Sequence, residues 1–197
     1  MMLNLRFGEN MSKILFVNAC VREQSRTLSL AQYVLEKLGG DTEEVRLDEV
    51  KLYPLDGKRM AERDVACFSQ DFSNPMFDLG KQFAKAETIV IAAPYWDLLF
   101  PASLKSYLET IIVNNLTFTY DEMGRPQSLC KCKKLVYVTT SGGPIHFNFG
   151  YDYINAIARG FFGIADVQCV KAEGLDIHGA DVEKLLDQAK QDFDNRQ

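Results

Sequence analysis

Residues 87–109 read ETIVIAAPYWDLLFPASLKSYLE. The segment 88–93, TIVIAA, is a continuous apolar run with β-branched residues, the pattern of a strand covered on both faces. It breaks at Pro94 and passes through Tyr95, Trp96, Asp97, Leu98 and Phe100. Pro101 then opens a helical pattern, a favoured first-turn position for proline. The chain's one tryptophan therefore lies, with a tyrosine beside it, on the loop leaving a buried strand.

Outward from this stretch, four more runs read as strands: 13–18 (KILFVN), 43–47 (EEVRL), 134–140 (KLVYVTT) and 166–172 (DVQCVKA). The run at 43–47 mixes in charges and reads as an edge strand. Helical spacing of apolar residues recurs at 27–38, which stops at Gly39-Gly40, and at 102–112, 151–162 and 180–193. Alternation of this kind predicts an α/β fold, a three-layer sandwich around a five-stranded parallel sheet of order 2-1-3-4-5. In that order the switch point lies between strands one and three, and ligands bind at the carboxyl ends there. The loops expected at that crevice are 18–27, 93–101 and 140–150. Residues 53–78 are the least regular part and are expected to carry a loop and a helix start. Residues 12–197 read as one domain. Residues 1–11 read as a disordered or extended N-terminal segment, with Met11 as a natural start.

The 197 residues carry a formal net charge of −5, which argues against broad nucleic-acid binding. No apolar run reaches membrane-spanning length, and residues 1–10 lack the apolar core of a signal peptide. Five scattered cysteines do not make a disulfide scaffold. The Cys130-x-Cys132 pair has neither histidine near it in sequence, so no zinc site is expected, and reduced thiols in a cytoplasmic protein are the simplest reading.

Each of the three loops reads in two ways. In the first, Ser25, Arg26 and Thr27 fall where a helix begins, and free N–H groups there favour an anion such as phosphate. Taken alone, Ser25 reads first as an N-cap. Neither a dinucleotide fingerprint nor a P-loop is present. In the second, Tyr95 and Trp96 can wall a flat aromatic ligand or fill a gap beneath the loop. In the third, Gly142-Gly143 lets backbone approach a ligand or simply makes a turn. His146 is a candidate proton or hydrogen-bond donor, and His178 reads as solvated. Together the loops describe a mononucleotide site with a phosphate at the first helix and a planar ring between loops two and three, that is, a site for flavin mononucleotide (FMN).

With those loops placed, the chain resembles the FMN-dependent azoreductases among the flavodoxin-like NAD(P)H:quinone oxidoreductases. The likeness runs from about residue 12 to 192. It is strongest in AAPYWDLLFPASLKSYLETIIVNNLTFTYDEMGRPQSL, TTSGGP and GFFGIADVQCVKAEGLD. The resemblance implies a flavodoxin-like homodimer with one FMN per subunit and sites at the interface. It implies ping-pong hydride transfer from NADH or NADPH to quinones or azo compounds. It places Ser25, Arg26 and Thr27 on the phosphate loop, with Cys20 replacing a further serine there. Pro94, Tyr95, Trp96, Asp97 and Leu98 match the loop along the isoalloxazine edge. Thr140, Ser141, Gly142 and Gly143 match the loop at the ring's pyrimidine end. Phe118, Tyr120 and Phe162 match the aromatics of the substrate pocket, the first two expected from the partner subunit. Two departures stand out: Ile145 occupies a position where relatives often carry histidine, with His146 one later, and the segment 53–78 reads as irregular. A flavodoxin-type electron carrier and a flavin-binding module without turnover are the alternatives. An esterase is disfavoured by the lack of a Gly-x-Ser-x-Gly elbow.

Overall fold

The computed structural model describes residues 13–197; the readings for the N-terminal segment and Met11 lie outside them. The elements in chain order are β1 (Lys13–Asn18), α1 (Arg26–Leu38), β2 (Asp41–Arg46), α2 (Gly57–Ser69), a 3-10 turn (Pro75–Phe77), α3 (Asp78–Lys85), β3 (Thr88–Ala92) and α4 (Ala102–Ile111). A short hairpin follows, β4 (Phe118–Tyr120) and β5 (Pro126–Ser128), then β6 (Lys134–Thr140), α5 (Phe149–Gly160), β7 (Asp166–Ala172) and α6 (Val182–Asp194). The main sheet has order β2-β1-β3-β6-β7, and its four pairings are all parallel. This is the expected 2-1-3-4-5 order, renumbered by the hairpin.

Side-chain alternation splits the core between the two faces of the sheet. Leu15, Val17, Ile89 and Ile91 pack with Phe83, Leu104, Tyr107 and Ile154, which are among the buried residues of α3, α4 and α5. Ile14, Phe16, Val90 and Ala92 pack with Leu30, Val34, Ala189 and Phe193 of α1 and α6. Burial on both faces is why β1, β3 and β6 read as unbroken apolar runs. β2 is the charged edge, with only Val45 buried.

The segment 53–78 differs from its expected irregularity: it holds the thirteen-residue helix α2. Asp56 caps that helix by accepting from the Arg59 N–H at 2.8 Å. Ala66 is its only buried residue, packed with Phe77 and Val113 away from the sheet. With so little buried, the helix leaves almost no apolar period in the sequence, and Asp56-Gly57 imitates a turn.

Candidate functional site

The parallel ladders continue past the strand ends and fix the loops that follow. The Ala19 N–H donates to the Ala92 carbonyl, and the N–H groups of Ala93 and Tyr95 donate to Val138 and Thr140. Along β3, alternate residues thus face β1 and β6. Residue 94 would face β1, but proline has no N–H, so pairing with β1 ends and the first loop diverges. That divergence opens a cleft of ≈ 310 Å³ between the carboxyl ends of β1 and β3, the switch point anticipated from the strand order.

The first loop contributes Arg22, Gln24, Ser25, Arg26 and Thr27 to the lining. Ser25 is the N-cap of α1, its Oγ accepting from the Leu28 N–H at 3.2 Å. Among the described residues, the Arg26 and Thr27 N–H groups have no protein acceptor. The Thr27 hydroxyl is fully buried and hydrogen-bonded to the Thr140 hydroxyl at 2.6 Å. Thr27 thus forms part of the cleft floor with its N–H left without a protein acceptor. Cys20 is buried beneath the lining, its Sγ 3.9 Å from the Ala92 carbonyl oxygen. Burial pushes its pKa up. The thiol stays protonated and does not line the cleft.

The second wall is Pro94, Tyr95 and Trp96. Trp96 and Leu99 exchange backbone hydrogen bonds around a two-residue turn in which Asp97 and Leu98 have φ of 50° and 68°. Two consecutive left-handed residues without glycine store strain of about 1–3 kcal/mol each. The turn leaves Trp96 39% exposed at the cleft wall. Asp97 and Leu98 form the exposed tip, outside the lining. The Tyr95 hydroxyl donates to the Phe147 carbonyl at 2.8 Å, joining the second loop to the third.

The third wall is Thr140, Ser141 and Gly142. Gly143 follows at the rim, outside the lining; apart from its chain neighbours no heavy atom comes within 4 Å of where a Cβ would stand, so that side is open. His146 is exposed and outside the lining; Ile145 instead donates its N–H to Glu173 at 2.8 Å.

A fourth wall was not anticipated. Leu175 and Asp176, on the loop after β7, complete the lining. Asp176 Oδ1 accepts from Arg26 Nη1 at 2.8 Å. The strand order carried the signal, because β7 neighbours β6 and its loop must rise beside Gly142.

Of the three aromatics expected in the substrate pocket, two are buried within this chain. Phe118 is buried between Tyr120 and Phe161. Phe162 is in the main core, its ring centroid 4.6 Å from that of Phe83. Neither lines the cleft, and Leu116 is half-buried. Tyr120, Met123 and Leu129 are exposed.

No metal-binding cluster occurs among the described residues, and no helix there is long and apolar enough to cross a membrane. Open N–H groups at a helix start, two arginines, an aromatic wall and accessible glycine backbone fit a ligand with a phosphate and a flat ring.

A family model described as a flavodoxin-like fold matches residues 12–196. The FMN-dependent NADH:quinone oxidoreductase of Coprothermobacter proteolyticus is 34% identical over 192 residues, covering 91% of this chain and 94% of that protein. That of Lachnoclostridium phytofermentans is 35% identical over 195 residues, covering 92% and 96%. Among solved structures, an azoreductase from Bacillus anthracis superposes with a TM-score of 0.76 at 23% identity, covering 92% of this chain and 96% of that one. A Bacillus anthracis FMN-dependent NADH-azoreductase in complex with FMN gives 0.76 at 22%, covering 94% and 97%. The fold and cleft define a flavodoxin-like α/β protein. The chain belongs, within that class, to the FMN-dependent NADH:quinone oxidoreductases.

Proposed function

We propose that the cleft holds FMN, takes electrons from NADH, and reduces quinones and azo compounds. The single observation that carries this reading is the convergence, in one cleft, of the open start of α1 with Arg26 and the Tyr95–Trp96 wall. The α1 N–H groups and Arg26 would hold the phosphate. Tyr95 and Trp96 would flank the ring. The Gly142 N–H, with that of Gly143 at the rim beside it, would donate to its edge, where charge builds on reduction. Bound FMN supplies hydride acceptance from the nicotinamide and hydride donation to the acceptor. The chain's own residues bind, orient and stabilise charge, and no protein nucleophile is needed. Pro94 opens the crevice, while Cys20 packs below it as a neutral thiol. His146 has no assigned part, because it lies outside the cleft.

The same reading includes a homodimer. Tyr120, Met123 and Leu129 on the β4–β5 hairpin are exposed, and a two-fold mate would cover them. Phe118 supports Tyr120 from beneath rather than facing substrate. A cytoplasmic setting agrees with cysteines that are all free. No nucleic-acid or membrane partner is proposed.

Cofactor identity is the test. Apoprotein mixed with FMN and FAD, then gel-filtered and extracted, should release stoichiometric FMN. Retention of FAD with no affinity for FMN would overturn the reading.

A further inference from the structure

The loop after β7 is laid along the Gly-Gly turn by three successive backbone hydrogen bonds. The N–H groups of Gly174, Leu175 and Asp176 donate to the carbonyls of Gly143, Ser141 and Gly142 at 3.1, 3.1 and 2.9 Å. This places the Asp176 carboxylate directly over Gly142. A Cβ on Gly142 would stand 2.2 Å from Asp176 Oδ2, so the glycine makes room for the carboxylate. The other carboxylate oxygen, Oδ1, holds Arg26 Nη1 at 2.8 Å, joining residues 150 apart in sequence.

We propose that Asp176 is a positioning residue of the phosphate clamp: it fixes the Arg26 guanidinium at the open start of α1 and so makes the cleft prefer a phosphorylated flavin. The proposal rests on the reading of the cleft as an FMN site. The two side chains are 42% and 67% exposed. An ion pair that wet adds little to fold stability, so stability alone does not account for it. Its effect is orientation. A free arginine samples many rotamers, whereas a held one presents its remaining N–H donors in a fixed fork. One guanidinium nitrogen is engaged by Asp176, which leaves the others for an incoming phosphate.

Two effects oppose each other. The carboxylate repels a phosphate dianion, but at its exposure water and salt screen the repulsion to a roughly few-fold effect. A correctly aimed charge-assisted hydrogen bond to phosphate is worth roughly tenfold to a hundredfold. Orientation therefore outweighs repulsion, and removing Asp176 weakens phosphate binding.

The test is titration of wild-type, Asp176→Ala, Asp176→Asn and Asp176→Glu apoprotein with FMN and, separately, riboflavin, read by quenching of flavin fluorescence. Riboflavin carries the same ring without the phosphate. We expect Asp176→Ala to weaken FMN by roughly tenfold while riboflavin stays within about twofold. Asp176→Asn keeps a carbonyl acceptor and should lose less; Asp176→Glu should keep the preference for FMN. An Asp176→Ala protein that binds FMN as tightly as wild type, or loses riboflavin equally, overturns the proposal while leaving the FMN site standing. Wild-type apoprotein that binds neither flavin overturns the cofactor reading and this proposal with it.

Discussion

Thr27 and Thr140 share a 2.6 Å hydrogen bond beneath the cleft, although 113 residues separate them in sequence. Both are buried in the floor of the cleft, so the bond ties the start of α1 directly to the end of β6. Removing one hydroxyl leaves the other buried without its partner, at about 1–3 kcal/mol. Removing both leaves two methyl groups in contact. Thr27→Val and Thr140→Val are each expected to lower stability in urea unfolding by about that amount. The double variant should lose clearly less than the sum. Strict additivity would contradict the pairing.

The two glycines of the third loop should separate by role. Gly142→Ala brings a Cβ against the Asp176 carboxylate. The carboxylate is exposed and can rotate away, but Asp176 Cβ, 3.2 Å from the new methyl, must also shift with its loop, so the fold should lose about 1 kcal/mol while FMN affinity falls with the displaced Arg26 contact. At Gly143 a Cβ meets nothing. Gly143→Val should therefore leave the melting temperature within about 2 °C and weaken FMN binding by crowding the ligand side of the turn. Unchanged FMN affinity in Gly143→Val would show that this backbone does not face the cofactor.

Burial pushes the thiols of Cys130 and Cys132 up to about 12 and that of Cys169 to about 11, from an ordinary 9.0. As pH rises through 9.0, the unfolded chain releases these protons and the folded chain keeps them. Stability is then full below that pH and falls between it and the folded values. We expect the melting temperature to drop between about pH 8.5 and 10.5, with a shallower drop in Cys132→Ala/Cys169→Ala. Parallel slopes would contradict the assignment. The same protonation predicts slow reaction with thiol reagents near neutrality.

Met123 is the most exposed apolar residue of the hairpin, at 77%. If a second subunit covers that tip, Met123→Glu should weaken the dimer in light scattering at micromolar concentration without lowering protomer stability. A wild-type monomer with full turnover would rule out a shared site. Phe118 is unsuitable as the probe, because it is buried and a charge there would unfold the hairpin.

The sheet was legible because burial on both faces leaves long apolar runs such as TIVIAA, and strand order followed from strand–helix alternation. Three walls of the cleft followed from one topological rule. What escaped depended on contacts that sequence does not encode locally. α2 hides because only Ala66 is buried. Phe161 and Phe162 look alike in sequence, yet one meets the hairpin and the other meets Phe83. The Arg26–Asp176 pair is invisible until β7 is placed beside β6.

Turnover through FMN in this cleft can be followed step by step in the visible flavin band. FMN-reconstituted protein is mixed anaerobically with NADH, then with excess benzoquinone, while the visible flavin band is followed. We expect NADH to bleach the band, the quinone to restore it, and NADH to be consumed well beyond the flavin present. A band that NADH leaves unchanged, or one that bleaches once and is not restored by quinone, would contradict the account.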